Sequence, residues 1–176
     1  MLIRQESRTD YRQIRELTDG AFGSTEESQL IDKLRMAGVV LLSLVAEQEG
    51  EIVGHILFSR IVIESDGALN LEIPAISAIP VVALAPMCVS SVHQKKGIGG
   101  ALIQQGVRIL RQRGENVIFV VGHKRYYQKF GFSVDLAKQF QCEYSGDTFL
   151  TLELQPGWIA GKSGTVVYPE AFNRLN

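Results

Sequence analysis

The sequence predicts one α/β domain, residues 1–176, built on a mixed, mostly antiparallel sheet of six or seven strands flanked by helices. Three observations predict it. Short strand-like apolar segments are interspersed with stretches whose apolar residues recur at helical spacing. Two strand segments are joined by Glu49-Gly50-Glu51, a hairpin signal. The length of 176 residues suits a single domain with a sizeable buried core.

In chain order, residues 2–4 read as a short strand, and Asp10 as the cap of a helix carrying Ile14, Leu17, Ala21 and Phe22 at helical spacing. Residues 24–36 read as a second helix, with Ser24 as cap, Glu27 at the capping-box position and Leu30, Ile31 and Leu34 on one face. Residues 42–47 and 52–64 are the hairpin strands. Gly67, Pro74 and Pro80 argue for an irregular connection over 65–80. Residues 81–89 are strand-like, but Pro86 lacks an N–H, so a bulge or an unpaired edge is expected inside this strand. The clearest helix is 97–113, with Ile98, Ala101, Leu102, Ile109 and Leu110 on its apolar face and Gly114 as its stop. Residues 117–121 form a short apolar run suited to a buried strand, and 125–130 a short helix ending at Gly131. Strand candidates at 140–144 and 149–154 precede a tail rich in Gly and Pro.

Composition removes several function classes. The chain is 45% apolar and 21% charged, which excludes a disordered protein. A net charge of -1 supplies no field for nucleic acid, so no nucleic-acid partner is expected. The longest apolar candidate, 73–92, is broken by prolines and serines, so no membrane partner is expected. The N-terminus lacks a signal-peptide profile. Cys88 and Cys142 form no CxxC, and the histidines show no HxH or HExxH, so neither a disulfide framework nor a metal site is expected. A reduced, cytoplasmic compartment fits that cysteine usage.

The informative piece is strand, then Gln94-Lys95-Lys96-Gly97-Ile98-Gly99-Gly100, then helix. A helix N-terminus presents free N–H groups and the positive end of the helix dipole, which together favour an anion. Glycines at 97, 99 and 100 would let backbone amides approach that anion without a Cβ in the way, and Lys95 and Lys96 add local positive charge. A pyrophosphate suits the arrangement. A Walker loop, GxxxxGK[ST], is absent, and the dinucleotide fingerprint GxGxxG fails because its sixth position from Gly97 is Leu102. Taken alone, the turn could also be a tight strand-to-helix connector.

The turn resembles the [RQ]-x-x-G-x-[GA] element of the GCN5-related N-acetyltransferase (GNAT) superfamily, with Val89 preceding it at that family's spacing. Tyr126-Tyr127-Gln128-Lys129-Phe130-Gly131-Phe132 is similar to the family's second signature, a Tyr four residues before Gly-Phe. The hairpin around Val45-Ala46-Glu47, Gly50 and Ile52-Val53-Gly54-His55 agrees. The resemblance covers residues 2–132 in order, and is nearest to a bacterial branch carrying Gly122-x-x-x-Tyr-Tyr-x-x-Phe-Gly-Phe.

The resemblance implies an acyl-CoA N-acyltransferase fold, acetyl-CoA as cosubstrate and transfer of an acetyl group to a primary amine by direct attack. It places Met87, Cys88 and Val89 along the pantetheine arm, and Gln94, Lys95, Lys96, Gly97, Ile98, Gly99 and Gly100 around the pyrophosphate. Tyr127 takes the position of the acid that protonates the leaving thiolate, and a backbone N–H near Val89 that of the oxyanion donor. Many relatives carry Asn where this chain has Val120, which puts one pantetheine contact in doubt. The amine acceptor is a small molecule or peptide, its pocket completed by residues after Phe132. The candidates for the base are His123, Glu47, Glu72 and the Glu26/Glu27 pair, or water. The oligomeric state is open, with a homodimer admitted.

Plainer readings stand beside these. Tyr127 could be a packing aromatic, and Tyr126 reads as core. Cys88 reads as a buried structural residue, His55 as a satisfied or surface histidine, and Glu26/Glu27 as a solvated helix face. The competing function is a catalytically silent acyl-CoA sensor or partner-binding module, which would share the turn but not need Tyr127 or an open acceptor pocket.

Overall fold

A computed structural model describes residues 1–64 and 78–173. The elements run β1 (Leu2–Gln5), α1 (Tyr11–Phe22), α2 (Glu26–Met36), β2 (Val40–Gln48), β3 (Glu51–Glu64), β4 (Ala78–Val89), α3 (Ile98–Gln112), β5 (Val117–Val121), α4 (Lys124–Tyr127), α5 (Val134–Ala137), β6 (Phe140–Gln141), β7 (Phe149–Glu153) and β8 (Gly164–Val167). The sheet follows the order β1-β2-β3-β4-β5-β7, with β8 pairing β3 and β6. Every pair on that path is antiparallel except β4–β5, which is parallel. The expected class holds. The tail adds β8, antiparallel to β3 through Val62↔Val167, which no periodicity announced.

Helices cover both faces. On one, α3 lies across β2 and β3: Gly54 admits Ile98 and Leu102, and Gly106 lies against the ring of Phe58. On the other, Ile14, Ile31 and Leu34 of α1 and α2 pack on Val45, Ile52 and Leu57. A third cluster joins Phe119, Phe140 and Phe149 beneath the later strands. The buried side of α3 differs from the expected stripe. It includes Ile103 and Gly106, whereas Ala101 and Ile109 are only half-buried.

Several local expectations hold in altered form. Asp10 does precede α1, but it makes no side-chain cap there. Its carboxylate instead accepts from the two terminal nitrogens, Nη1 and Nη2, of Arg4 at 2.7 and 3.0 Å. Thr25, not Ser24, is the N-cap of α2, and the Ser24 hydroxyl donates to Glu27 at 2.9 Å. Pro86 does sit at a bulge: between Ile56↔Met87 and Phe58↔Leu84, two residues of β4 oppose one of β3. Within the expected irregular connection, residues 65–77, including Glu72, lie outside the described residues, and Ala78, Ile79 and Pro80 belong to β4.

His55 is neither exposed nor fully satisfied. It is wholly buried on the α1–α2 face, and its Nε2 lies 2.8 Å from the Ser43 hydroxyl. Ser43 donates to Glu6 at 2.7 Å, and Arg35 holds the same carboxylate at 2.6 and 3.1 Å. The chain of donors is consistent when Nε2 carries the proton, which leaves Nδ1 as an unpartnered acceptor. Burial drives the His55 pKa below its ordinary value, against the pull of Glu6.

Candidate active site

The parallel pairing of β4 with β5 is short. It runs from Val82↔Ile118 to Leu84↔Val120 and stops there, while β4 continues along β3 to Gly54↔Val89. From Ala85 to Val89 the β5-side edge of β4 therefore has no strand partner among the described residues, and its backbone groups face an opening. Here β4 and β5 part, as the unpaired edge expected near Pro86 requires. The opening lies at the carboxyl ends of two parallel strands, the usual place for a ligand crevice in such a sheet.

A cavity of about 1040 Å³ occupies the opening. Its lining includes Met87, Cys88, Val89, Gln94, Lys95, Gly97, Ile98, Gly99, Gly100 and Tyr127. Of the residues expected at the cofactor, only Lys96 lies off this wall, exposed on the outer side of the turn. Val120 also lies off it, buried in the first core cluster at the last rung of the β4–β5 ladder.

The turn is built as its letters suggest, but not for one reason. Lys95 and Gly97 take positive φ, 61° and 83°, which folds the chain tightly into α3. The first intrahelical bond runs from the Ala101 N–H to the Gly97 carbonyl at 3.0 Å, so the N–H groups of Ile98, Gly99 and Gly100 precede any helical partner. Gln94 folds back, its side-chain amide donating to the Val89 carbonyl at 3.2 Å. The glycines at 99 and 100, however, make room for protein. A Cβ on Gly99 would stand 2.5 Å from the Tyr126 hydroxyl, and one on Gly100 would stand 3.0 Å from the Phe130 ring. These two glycines seat the aromatic edge of α4 and the turn after it against α3.

Tyr126 is thus not simply core. It is half-buried, lines the cavity and brings its hydroxyl to the start of α3. Tyr127 is the deeper of the two at 8% exposure, with its ring edge-on to Tyr126 at 5.2 Å and to Phe132 at 5.6 Å. Gly122 explains its own place in the signature: the space where its Cβ would stand is filled by the Tyr127 ring. Burial, with a smaller contribution from Tyr126, pushes the Tyr127 phenol well above its ordinary pKa. It is a fully protonated donor at neutral pH.

Cys88 is buried with its thiol 3.7 Å from the Thr18 hydroxyl, and burial pushes its pKa up to about 11. That is no nucleophile. Among the base candidates, His123 and Glu27 line the cavity, whereas Glu26 does not and Glu47 is engaged by Arg4 at 2.8 Å. No group of three or more metal-ligating side chains occurs among the described residues. Residues after Phe132 are expected to complete the acceptor pocket, but sequence reasoning did not single out the side chains that line the cavity there, Tyr144, Tyr168 and Phe172. Nor did it place Ala21 and Phe22 at the end of α1, or Leu30 on α2, at the site. The tail aromatics have no periodic spacing and are gathered only by β8.

Comparison with known proteins agrees with this architecture. Residues 7–132 match the Acetyltransferase (GNAT) family. The chain is 36% identical over 127 residues to the uncharacterized N-acetyltransferase YjhQ of Escherichia coli (strain K12), a match spanning 71% of this chain and 65% of YjhQ. Among solved structures, the GNAT family N-acetyltransferase YhbS of Escherichia coli, in complex with CoA, superposes with a TM-score of 0.85 at 28% identity, over 99% of this chain and 93% of that one. A GNAT family acetyltransferase from Brucella melitensis, in complex with acetyl-CoA, gives 0.76 at 32% identity, over 98% and 97% of the two chains. With more than half its length matched by the family and its sheet parted between β4 and β5, the chain belongs to the acetyltransferase (GNAT) family.

Proposed function

We propose that the protein transfers an acetyl group from acetyl-CoA to a primary amine by direct attack, in a reduced cytoplasmic compartment. The observation that carries this reading is the convergence on one cavity of three features: the unpaired edge of β4, the free N–H groups opening α3, and the Tyr127 ring. Pantetheine would lie along Ala85 to Val89 as an added strand, with its pyrophosphate at the N–H groups of residues 95–100. A backbone N–H near Val89 is the proposed donor to the thioester oxygen as it gains charge.

The amine nitrogen bonds the acetyl carbon as the carbon–sulfur bond breaks, and the proton shed by the amine passes to His123, Glu27 or water. Tyr127 is proposed to give its proton to the departing thiolate. A free thiol has a pKa near 8.5, and a phenol pushed upward by burial is the weaker acid, so the transfer would run uphill if the thiolate were solvated. Within the same desolvated cavity the thiolate is destabilised too, which narrows the gap. Val120 offers no polar contact to the pantetheine, so the backbone edge and the turn hold the cofactor.

The test is ligand-dependent thermal stabilisation. A ligand that binds only the native state raises its stability. Acetyl-CoA is expected to raise Tm, with NAD and ATP giving little. An equal shift from NAD would overturn the cofactor assignment. Thiol release in the presence of an amine separates an enzyme from a silent acyl-CoA binder, and sedimentation tests the homodimer.

A further inference from the structure

The cavity has two walls of different chemistry. Its lysines, Lys95 and Lys129, come from the turn after β4 and from the segment after α4, beside the proposed cofactor. The opposite wall, from α1, α2 and the tail, is apolar and aromatic. Glu27 is the single carboxylate among the described lining residues.

From this division we propose that the acceptor is a primary amine carried on an apolar ring, its ammonium paired with Glu27 and its ring seated against Phe22, Tyr168 and Phe172. The proposal rests on the acetyl-transfer reading for the purpose of the amine, but not for its recognition. The Ser24 hydroxyl donates to one oxygen of Glu27 at 2.9 Å, which fixes the carboxylate, and no other described residue engages the second oxygen. A fixed anion in a largely apolar wall discriminates for a cation and against an anionic amine. The aromatic surface is likewise built in place. Tyr168 meets Phe172 edge-on at 5.0 Å and Tyr144 at 5.3 Å, so the rings support one another and little ordering remains to be done on binding. Phe22 is 43% exposed and lines the cavity from the end of α1, where a ligand can cover it. A polyamine would present several ammonium groups to a wall with one carboxylate. A bare alkylamine would leave the aromatic surface uncovered. A monoamine with a ring satisfies both features.

The experiment is calorimetric titration of 2-phenylethylamine into the CoA-saturated protein, alongside ethylamine, 2-phenylethanol and spermidine. Phenylethylamine is expected to bind at least about tenfold more tightly than each of the others, the scale of one charge-assisted hydrogen bond or one buried ring. Glu27→Gln should weaken phenylethylamine by about tenfold or more while leaving CoA affinity within about twofold, the latter showing that the fold is intact. Absence of binding at millimolar concentration, equal binding by Glu27→Gln, or tighter binding of spermidine would each overturn the proposal. Thiol release from acetyl-CoA keeps the two readings apart. Glu27-dependent binding of phenylethylamine without thiol release would overturn acetyl transfer and leave this recognition standing. Turnover of spermidine alone would do the reverse.

Discussion

Tyr127 and Tyr126 are neighbours in sequence with different surroundings, Tyr127 buried under Gly122 and Tyr126 half-buried against Gly99, and only Tyr127 is proposed as the acid. Tyr127→Phe retains the ring that fills the space over Gly122 and meets Phe132, so folding and CoA affinity should be nearly unchanged. A positioned acid contributes about 10²–10⁴-fold, and a thiolate is a fairly good leaving group, so kcat should fall by about 10²-fold with the acetyl-CoA KM little altered. Wild-type turnover by this variant, with any confirmed acceptor, would remove the acid role. Tyr126 matters through Gly99. Gly99→Ala would press a methyl on the Tyr126 hydroxyl, whereas the next atoms, Met87 Cε and Tyr126 Cζ, stand at an ordinary 3.7 Å. The double variant Gly99→Ala/Tyr126→Phe should therefore be more stable than the sum of the single changes by about 1 kcal/mol in urea unfolding, the coupling expected of touching residues. Strict additivity would mean that Gly99 serves only the approach of a ligand.

At the scale of elements, α3 is held in register on the sheet by a glycine where an apolar residue would be the ordinary choice. Gly106 faces the fully buried ring of Phe58, which would collide with any Cβ there. In an exposed helix Gly→Ala gains up to about 1 kcal/mol. Here overpacking at about 1–3 kcal/mol outweighs it, so Gly106→Ala should lower stability and loosen the seating of the α3 N-terminus. A rise in the urea midpoint would contradict this packing. The opening between β4 and β5 has a similar local cause. The bulge opposite Leu57 displaces β4 at Ala85 and Pro86, just beyond the last rung shared with β5. A proline in the sequence marks that irregularity, but only the sheet order shows that it opens toward β5.

Across the whole molecule, the buried group of Glu6, Ser43, His55 and Arg35 ties β1, β2, β3 and α2 together and makes stability depend on pH. His55 is held neutral, its pKa below the ordinary value, chiefly by burial. The unfolded chain therefore takes up a proton first as pH falls, so this contribution is complete above about pH 6.5 and declines below it. Burial opposes ionisation of Glu6, yet hydrogen bonds from His55, Arg35 and Ser43 outweigh it and lower its pKa from 4.5 to about 2. Its contribution is present above pH 4.5 and is lost as pH falls toward 2. Urea unfolding at a series of pH values should give a plateau near neutrality, a first decline below about pH 6.5 and a steeper one below about pH 4.5. Stability that peaks near pH 5 would mean that His55 is charged in the folded chain.

The signals legible in the sequence are local. Apolar spacing marks α3 and β5, Gly114 and Gly131 at positive φ mark the stops of α3 and of the helical turn after α4, and Gly97 with its lysines marks a turn fit for an anion. Each signal lies within a few residues, where backbone sterics and helix ends act directly. Tyr127 was legible because its signature keeps it at a fixed distance from Gly131. Only the tertiary structure shows which glycines make room for a ring, since Gly99–Tyr126 and Gly106–Phe58 are contacts between separate elements. It likewise decided the aromatic wall. Tyr144, Tyr168 and Phe172 come from a tail without periodicity, and they meet where three residues of β8 pair with β3. A pairing that short leaves no repeat in the sequence, because its stability comes from the sheet it joins.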